Sequence, residues 1–192
     1  RGEFMARSKN FEQLLEEAKD IVINSIGETM DLYGVNRSVG NLYGTMVFEQ
    51  KSMTLDEMRY ELQMSKPSMS AGVKRLQEFD GVKQQFIRGS RKQHFTAEKD
   101  FFTFFGNFFS QKWNREIKLN LEAIQRAEKL LFPIIDSEDA EPEWIEDANK
   151  MLEQIEHSKV YYAWLSTLSE ALHSGEIFDY FPIPNQTSAS QS

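Results

Sequence analysis

From Phe11 to about Tyr33, apolar side chains recur at three- and four-residue intervals, at Phe11, Leu14, Leu15, Ala18, Ile21, Val22 and Ile26. That spacing gathers them on one side of an α-helix. Gly34-Val35-Asn36 interrupts the pattern. A second helix is predicted from about Ser38 to Gln50, with Val39, Leu42, Tyr43, Met46 and Val47 turned inward. Gly40 and Gly44 stand four apart on it. Such a pair lets another backbone approach closely, and two glycines merely tolerated in a helix would read the same way.

The densest local signal follows. Thr54 is a good N-cap, and Glu57 occupies the capping-box position three residues on. The helix they start, Leu55 to about Gln63, is only some two turns long. After Met64, Ser65 is a second cap for a helix over 66–78, with Pro67 in the first turn, where a missing N–H costs nothing. Met69, Val73 and Leu76 form its inward stripe. Two short helices joined by about three residues fit a helix-turn-helix, as they also fit helical hairpins in general. Residues 82–97 then change character. Segments around Phe86-Ile87 and Phe95-Thr96 favour strand and flank a turn at Arg88-Gly89-Ser90-Arg91. A basic hairpin directly behind a helix-turn-helix is how a wing appears in sequence.

Thr96 is read as the cap of a long helix from about Ala97 to Leu131, with Glu98 and Asp100 near its positive end and Pro133 as its stop. An acidic linker over 136–147 and a last long helix from about Pro142 to Leu172 complete the pattern, the latter with Met151, Ile155, Tyr162, Leu165 and Leu168 apolar. The expected fold is mainly α: a winged helix-turn-helix with a small β-hairpin wing, plus long terminal helices for dimerisation. The expected divisions are a cloning remnant at 1–4 (Arg-Gly-Glu-Phe ahead of Met5), N-terminal helices at 5–50, the winged helix-turn-helix at 51–97, C-terminal helices at 98–182 and a flexible tail at 183–192.

Composition narrows the picture. A 192-residue chain with 40% hydrophobic and 27% charged residues has the make-up of a globular protein. No apolar run approaches the roughly 18 residues of a membrane span, and no signal peptide opens the chain, so a cytoplasmic protein is expected. With no cysteine, disulfides, thiolate metal sites and a cysteine nucleophile are excluded. The net charge of −8 at first argues against nucleic acid, but its distribution does not. Residues 51–97 hold nine Lys/Arg against five Asp/Glu, and the remainder 13 against 25. Phosphate contact needs a local basic surface rather than a basic whole; a window of this size also drifts by a few charges without meaning.

On the second short helix the outward positions include Lys66, Ser68, Ser70, Lys74, Arg75 and Gln77. Ser and Lys near a helix N-terminus suit base edges and phosphates, while Lys74 and Arg75, further along, suit phosphates. Arg88, Arg91 and Lys92 of the hairpin are placed to reach the backbone or the minor groove. A solvated helix face and a ligand-free basic hairpin are the plainer readings. The segment FFTFFGNFFSQKW, 101–113, carries two aromatic stripes. Phe102, Phe105, Phe109 and Trp113 form one; Phe101, Phe104 and Phe108 form the other. Such stripes are ordinarily core or dimer interface. Two of them demand burial on nearly all sides or a cavity lined with rings, where a quaternary ammonium group is held by cation–π attraction. Tyr43 is a candidate lid. His94, His157 and His173 stand singly, and no glycine-rich phosphate loop is present. No metal, cofactor or catalytic constellation is expected, and hence no enzyme.

Together, GNLYGTMVF (40–48) and MTLDEMRYELQMSKPSMSAGVKRLQEFDGVKQQFIRGSRKQHFTAEKDF (53–101) resemble the GbsR branch of the MarR-type winged-helix regulators. The resemblance covers residues 11–172 and is most specific over Ser65–Leu76 and Gly89–Asp100. It implies a repressor that dimerises through terminal helices and binds a pseudo-palindromic operator in double-stranded DNA. It also implies a link to choline sensing and to genes for glycine betaine synthesis or osmoprotectant uptake. The wing tip, Arg88-Gly89-Ser90-Arg91, departs from the Asp-x-Arg common in MarR-type proteins. The competing expectation is a winged-helix protein-interaction module that does not bind DNA.

Overall fold

A strand of only two residues carries no periodicity, yet one such strand completes the sheet from which the basic hairpin projects. The computed structural model describes residues 2–49 and 51–184, with side chains from Asn10 onward. Arg1 of the expected cloning remnant, Gln50, and the expected tail beyond Pro184 lie outside the described residues.

The chain divides into two units, one ending at Phe104 and the other beginning at Phe105. In the first, helix α1 (Gly2–Leu32) packs on α2 (Arg37–Phe48), which Asn36 caps by accepting a bond from Ser38 N at 2.9 Å. Among its described side chains, those α1 buries are Ile23, Gly27 and Met30, at the i, i+4, i+7 spacing of one helix face. A Cβ on Gly40 would stand 2.8 Å from Gly27 Cα, and one on Gly44 would stand 3.2 Å from Ile23 Cα. The glycine pair therefore marks a close backbone approach, the first of its two sequence readings. The stripe read from sequence on α1 is a different face: Phe11, Leu14, Leu15, Ile21 and Val22 remain exposed.

Strand β1 (Met53–Thr54) leads into α3 (Leu55–Leu62), and α4 (Lys66–Gln77) follows. The capping box forms as expected, Thr54 N donating to Glu57 Oε2 at 2.7 Å and Glu57 N to Thr54 Oγ1 at 3.3 Å. Gln63 ends α3 in the left-handed region, at φ 51°, and Ser65 caps α4 through Ser68 N. Strands β2 (Val82–Gln85) and β3 (His94–Ala97) form the hairpin, and the antiparallel sheet runs in the order β1-β3-β2, with Phe95 opposite both Met53 and Gln84. The core beneath it holds Leu42, Met46, Met58, Met69, Val73, Leu76, Phe79, Val82 and Phe95, all buried. The expected inward stripe of α4, Met69, Val73 and Leu76, is among them.

The long helix α5 (Phe101–Ile135) starts four residues later than expected. Ala97 pairs with Val82 as the last residue of β3, so Thr96 is strand and cannot cap. Asp100 takes that role, accepting from Phe102 N at 3.1 Å and Thr103 N at 3.4 Å. Those donors, with Thr103 Oγ1 foremost, hold its carboxyl below the usual carboxylate range. Pro133 does not stop α5, which continues two residues beyond it. A proline removes only its own N–H and clashes backward along the helix, and Asp136 N still reaches Phe132 O at 3.0 Å.

In the second unit α5 packs on α6 (Pro142–Ser174), followed by the short α7 (Ile177–Tyr180). The seam between α5 and α6 is small and polar. A Cβ on Gly106 would meet Leu172 O at 2.7 Å. The fully buried Ser169 Oγ lies 3.0 Å from Ser110 O and 2.9 Å from Asn114 Oδ1. Phe108, Leu131, Ala148, Leu165 and Leu172 supply the buried apolar surface. Among the described residues, no helix is long and apolar enough to cross a membrane.

Candidate nucleic-acid interface

Burial of Met69, Gly72, Val73 and Leu76 fixes which side of α4 faces out. Lys66, Ser68 and Lys74 are exposed, while Ser70 and Arg75 are half-buried. Ser68 Oγ lies 2.8 Å from the capping Ser65 Oγ, so its hydroxyl is already oriented by the cap. Arg75 pairs with Glu78, and its guanidinium sits 5.7 Å from the Phe79 ring centroid. This ties Arg75 along the rear of the helix. The sequence reading passed over Ala71, which is exposed between Ser68 and Lys74.

The wing projects from β2 and β3. Gly89 adopts φ +87°, the left-handed conformation that its turn requires. Arg88 and Arg91 flank it and are both exposed. Lys92, expected beside them, has its ammonium 2.9 Å from Asp56 Oδ2 of α3. Ser90 Oγ is 2.8 Å from His94 Nε2 and accepts from Lys92 N at 3.2 Å. Phe86 is 88% exposed at the root of this basic hairpin, a feature sequence pattern read only as strand propensity.

The rings of the expected effector site fall in both units. In the first, Tyr43 is buried, stacks on Phe104 at 4.4 Å, and donates its hydroxyl to Glu98 O at 2.7 Å. Burial, then the charges of Glu98 and Asp100, push that hydroxyl's pKa up, so it stays a donor at any ordinary pH. Phe104 also meets Phe79, just beyond α4, edge-on at 6.0 Å. Phe102 is exposed. In the second unit Phe105, Phe109 and Trp113 form a continuous run, with centroids 5.0 Å and 5.8 Å apart. Phe105 is exposed, and Phe109 and Trp113 are half-buried. Of the other stripe, Phe108 is core, with Lys112 lying 5.1 Å from its ring centroid.

A two-helix turn, an α4 whose outer face is basic and hydroxylated, and a three-stranded sheet ending in a basic hairpin define a winged helix-turn-helix protein. Residues 101–179 match the family profile described as "GbsR family transcriptional regulator, C-terminal helical hairpin". The chain is 54% identical over 169 residues, 88% of its own length and 93% of the other's, to the HTH-type transcriptional repressor GbsR of Bacillus subtilis (strain 168). Two further relatives come from the same organism. The putative HTH-type transcriptional regulator YvaV is 32% identical over 89% of this chain and 96% of its own. The HTH-type transcriptional repressor OpcR is 28% identical over 92% and 95%. The chain belongs to the GbsR family of transcriptional regulators, and it is a regulator rather than an enzyme.

Proposed function

We propose that this chain is a homodimeric repressor that binds operator DNA through α4 and the wing and answers to a small quaternary ammonium compound. In this reading Lys66, Ser68, Ser70, Lys74 and Arg75 work from α4, and Arg88, Arg91 and Lys92 from the wing. The genes controlled are those for uptake or synthesis of osmoprotectants such as choline and glycine betaine. The observation that carries the reading is a basic, exposed α4–wing surface in a chain 54% identical to a protein named as a repressor. Fluorescence anisotropy with duplexes from the control regions beside its own gene tests it. Nanomolar binding that weakens steeply with salt is expected, and equal, salt-insensitive signal with every duplex would leave a protein-interaction module instead.

Dimerisation is supported by apolar surface that neither unit covers. Phe11, Leu14, Leu15, Ile21 and Val22 on α1 and Trp144, Met151, Val160 and Trp164 on α6 are all exposed. Leaving nine such side chains in water is unfavourable by about 25 cal/mol for each Å2 of apolar surface, and a two-fold operator calls for a two-fold protein. Native mass measurement at micromolar concentration is expected to give twice the 22.4 kDa of the chain; a monomer alone would overturn the dimer.

The effector reading rests on Phe105, Phe109 and Trp113, whose rings run along α5 with faces only partly covered; Tyr43, expected as a lid, is instead buried with its ring stacked on Phe104. A trimethylammonium group makes no strong hydrogen bonds, so ring faces are its natural host, each worth up to about 2 kcal/mol when desolvated. Calorimetry with choline and glycine betaine is expected to give binding heat that Trp113→Ala lowers at least tenfold in affinity. Equal heats from both proteins would move the site off this stripe.

A further inference from the structure

The wing and the first helix of the helix-turn-helix are joined by side chains that lie far apart in sequence. Asp56, in the exposed first turn of α3, meets Lys92, 36 residues later, at 2.9 Å. Behind Lys92, Ser90 Oγ accepts from its backbone N–H and bonds His94 Nε2. His94 stands in β3 directly opposite Thr54, the residue that caps α3. Between these two walls runs a groove of about 430 Å3, with Thr54, Asp56, Glu57 and Tyr60 on one side and Ser90, Lys92 and His94 on the other.

Three features make the ion pair the brace of this wing. The hairpin beyond the strands has one partly covered apolar anchor, the half-buried Ile87, since Phe86, Arg88, Arg91, Lys92 and Gln93 are all exposed, and a Cβ on Gly89 would meet nothing within 4 Å. The pair is reciprocal: the hydrogen bond from Lys92, then its charge, holds the Asp56 carboxyl below its usual range, and Asp56 raises Lys92 in return. Finally, the ammonium that would reach for a phosphate is already taken up. Arg88 and Arg91 make no ion pair among the described residues and remain available. An exposed pair of this kind adds little to global stability, but here it has only to bias the direction of a short hairpin.

We propose that Lys92 and Asp56 are positioning residues of the DNA-binding surface: their ion pair sets the angle at which the wing presents Arg88 and Arg91. The assignment rests on the DNA-binding reading above and refines Lys92 from a phosphate ligand to an anchor. It has an unusual sign. Asp56 is an acid beside a polyanion, so removing it ought to strengthen binding on charge grounds alone; as half of the brace, its removal weakens operator binding.

The chain contains no cysteine, so a single introduced thiol reports the wing without interference. A spin label on Arg88→Cys in the full chain, free of DNA, is expected to become more mobile when Asp56→Ala is added, although the two positions lie 32 residues apart in sequence. In parallel, anisotropy with operator and scrambled duplexes is read on chains without the label. Lys92→Ala and Asp56→Ala are each expected to weaken operator binding about threefold with the log–log salt slope unchanged, a lost phosphate contact being worth roughly 0.9 in that slope. Lys92→Arg and the exchange Asp56→Lys with Lys92→Asp are expected to bind within twofold of the parent. A label indifferent to Asp56→Ala overturns the brace. So does tighter binding by Asp56→Ala, or a slope lowered by about 0.9 in Lys92→Ala, the mark of a phosphate ligand. A parent chain that binds no duplex overturns the DNA reading itself, which the label measurement on the free protein tells apart from failure of the brace.

Discussion

Removing both guanidinium groups from the wing tip, Arg88→Ala together with Arg91→Ala, is expected to lower the slope of log affinity against log salt by about 1.8, twice the value for one phosphate contact. Because the counterion term vanishes near 1 M salt, that slope amounts to roughly 60-fold weaker binding at 0.1 M. The loss should fall equally on operator and scrambled duplexes, since phosphates carry no sequence. Both side chains are exposed and lie on the turn rather than in the sheet, so the fold gives no reason for the variant to unfold. An unchanged circular dichroism spectrum and thermal midpoint would establish that. Ser68→Ala offers the contrast. Its hydroxyl is oriented by Ser65 at the start of α4, which the proposed reading sets against base edges, so the ratio of operator to scrambled affinity should fall while the slope holds. A double arginine variant with an undiminished slope would show that the wing tip never meets the duplex.

Much of this architecture was legible because its signals are local. Thr54 with Glu57, and Ser65 with Pro67, mark helix starts by chemistry confined to four residues, and both helices begin there. The wing was legible as a basic turn followed by the β-favouring Phe95-Thr96, which lie in β3; Phe86-Ile87, read as the other strand segment, fall just beyond β2, which ends at Gln85. What stayed hidden depends on partners distant in sequence. Nothing near Met53 announces a strand, because β1 exists only through its pairing with Phe95 and His94. The same pairing requirement holds Thr96 in β3 and moves the cap of α5 to Asp100. Charges were read by face alone, so Lys92 was grouped with Arg88 and Arg91 although Asp56 lies against it, and Arg75 with Lys74 although Glu78 holds it. The aromatic segment divides in the same manner. Helical spacing separated its two stripes, but only tertiary packing distinguishes Phe108, which is core, from Phe105, which keeps 43% of its surface exposed.

Gly40→Ala is expected to destabilise the chain by about 1–2 kcal/mol, even though alanine is the better helix former by roughly 1 kcal/mol in an open helix. The new methyl would stand 2.8 Å from Gly27 Cα, 3.0 Å from Met30 Cβ and 3.3 Å from Gly27 O. Two of those three atoms are backbone, so no rotamer change relieves the overlap, and α1 must move as a body away from α2. Overpacking of this kind costs about 1–3 kcal/mol and occasionally more, enough to outweigh the gain in propensity. Gly72→Ala on α4 supplies the control. Its nearest neighbours are the tips of side chains, Leu42 Cδ2 at 3.2 Å and Val39 Cγ2 at 3.8 Å, which can yield by a few tenths of an ångström. Propensity and crowding then nearly cancel, and a change within about 1 kcal/mol is expected. Urea denaturation followed by circular dichroism, at one fixed protein concentration because a dimer's stability depends on it, measures both. The midpoint should drop clearly for Gly40→Ala and barely move for Gly72→Ala. If Gly40→Ala instead matched or exceeded the parent, α1 would not be lying against α2 at that glycine, and the exposed apolar stripe of α1 would have to be assigned anew.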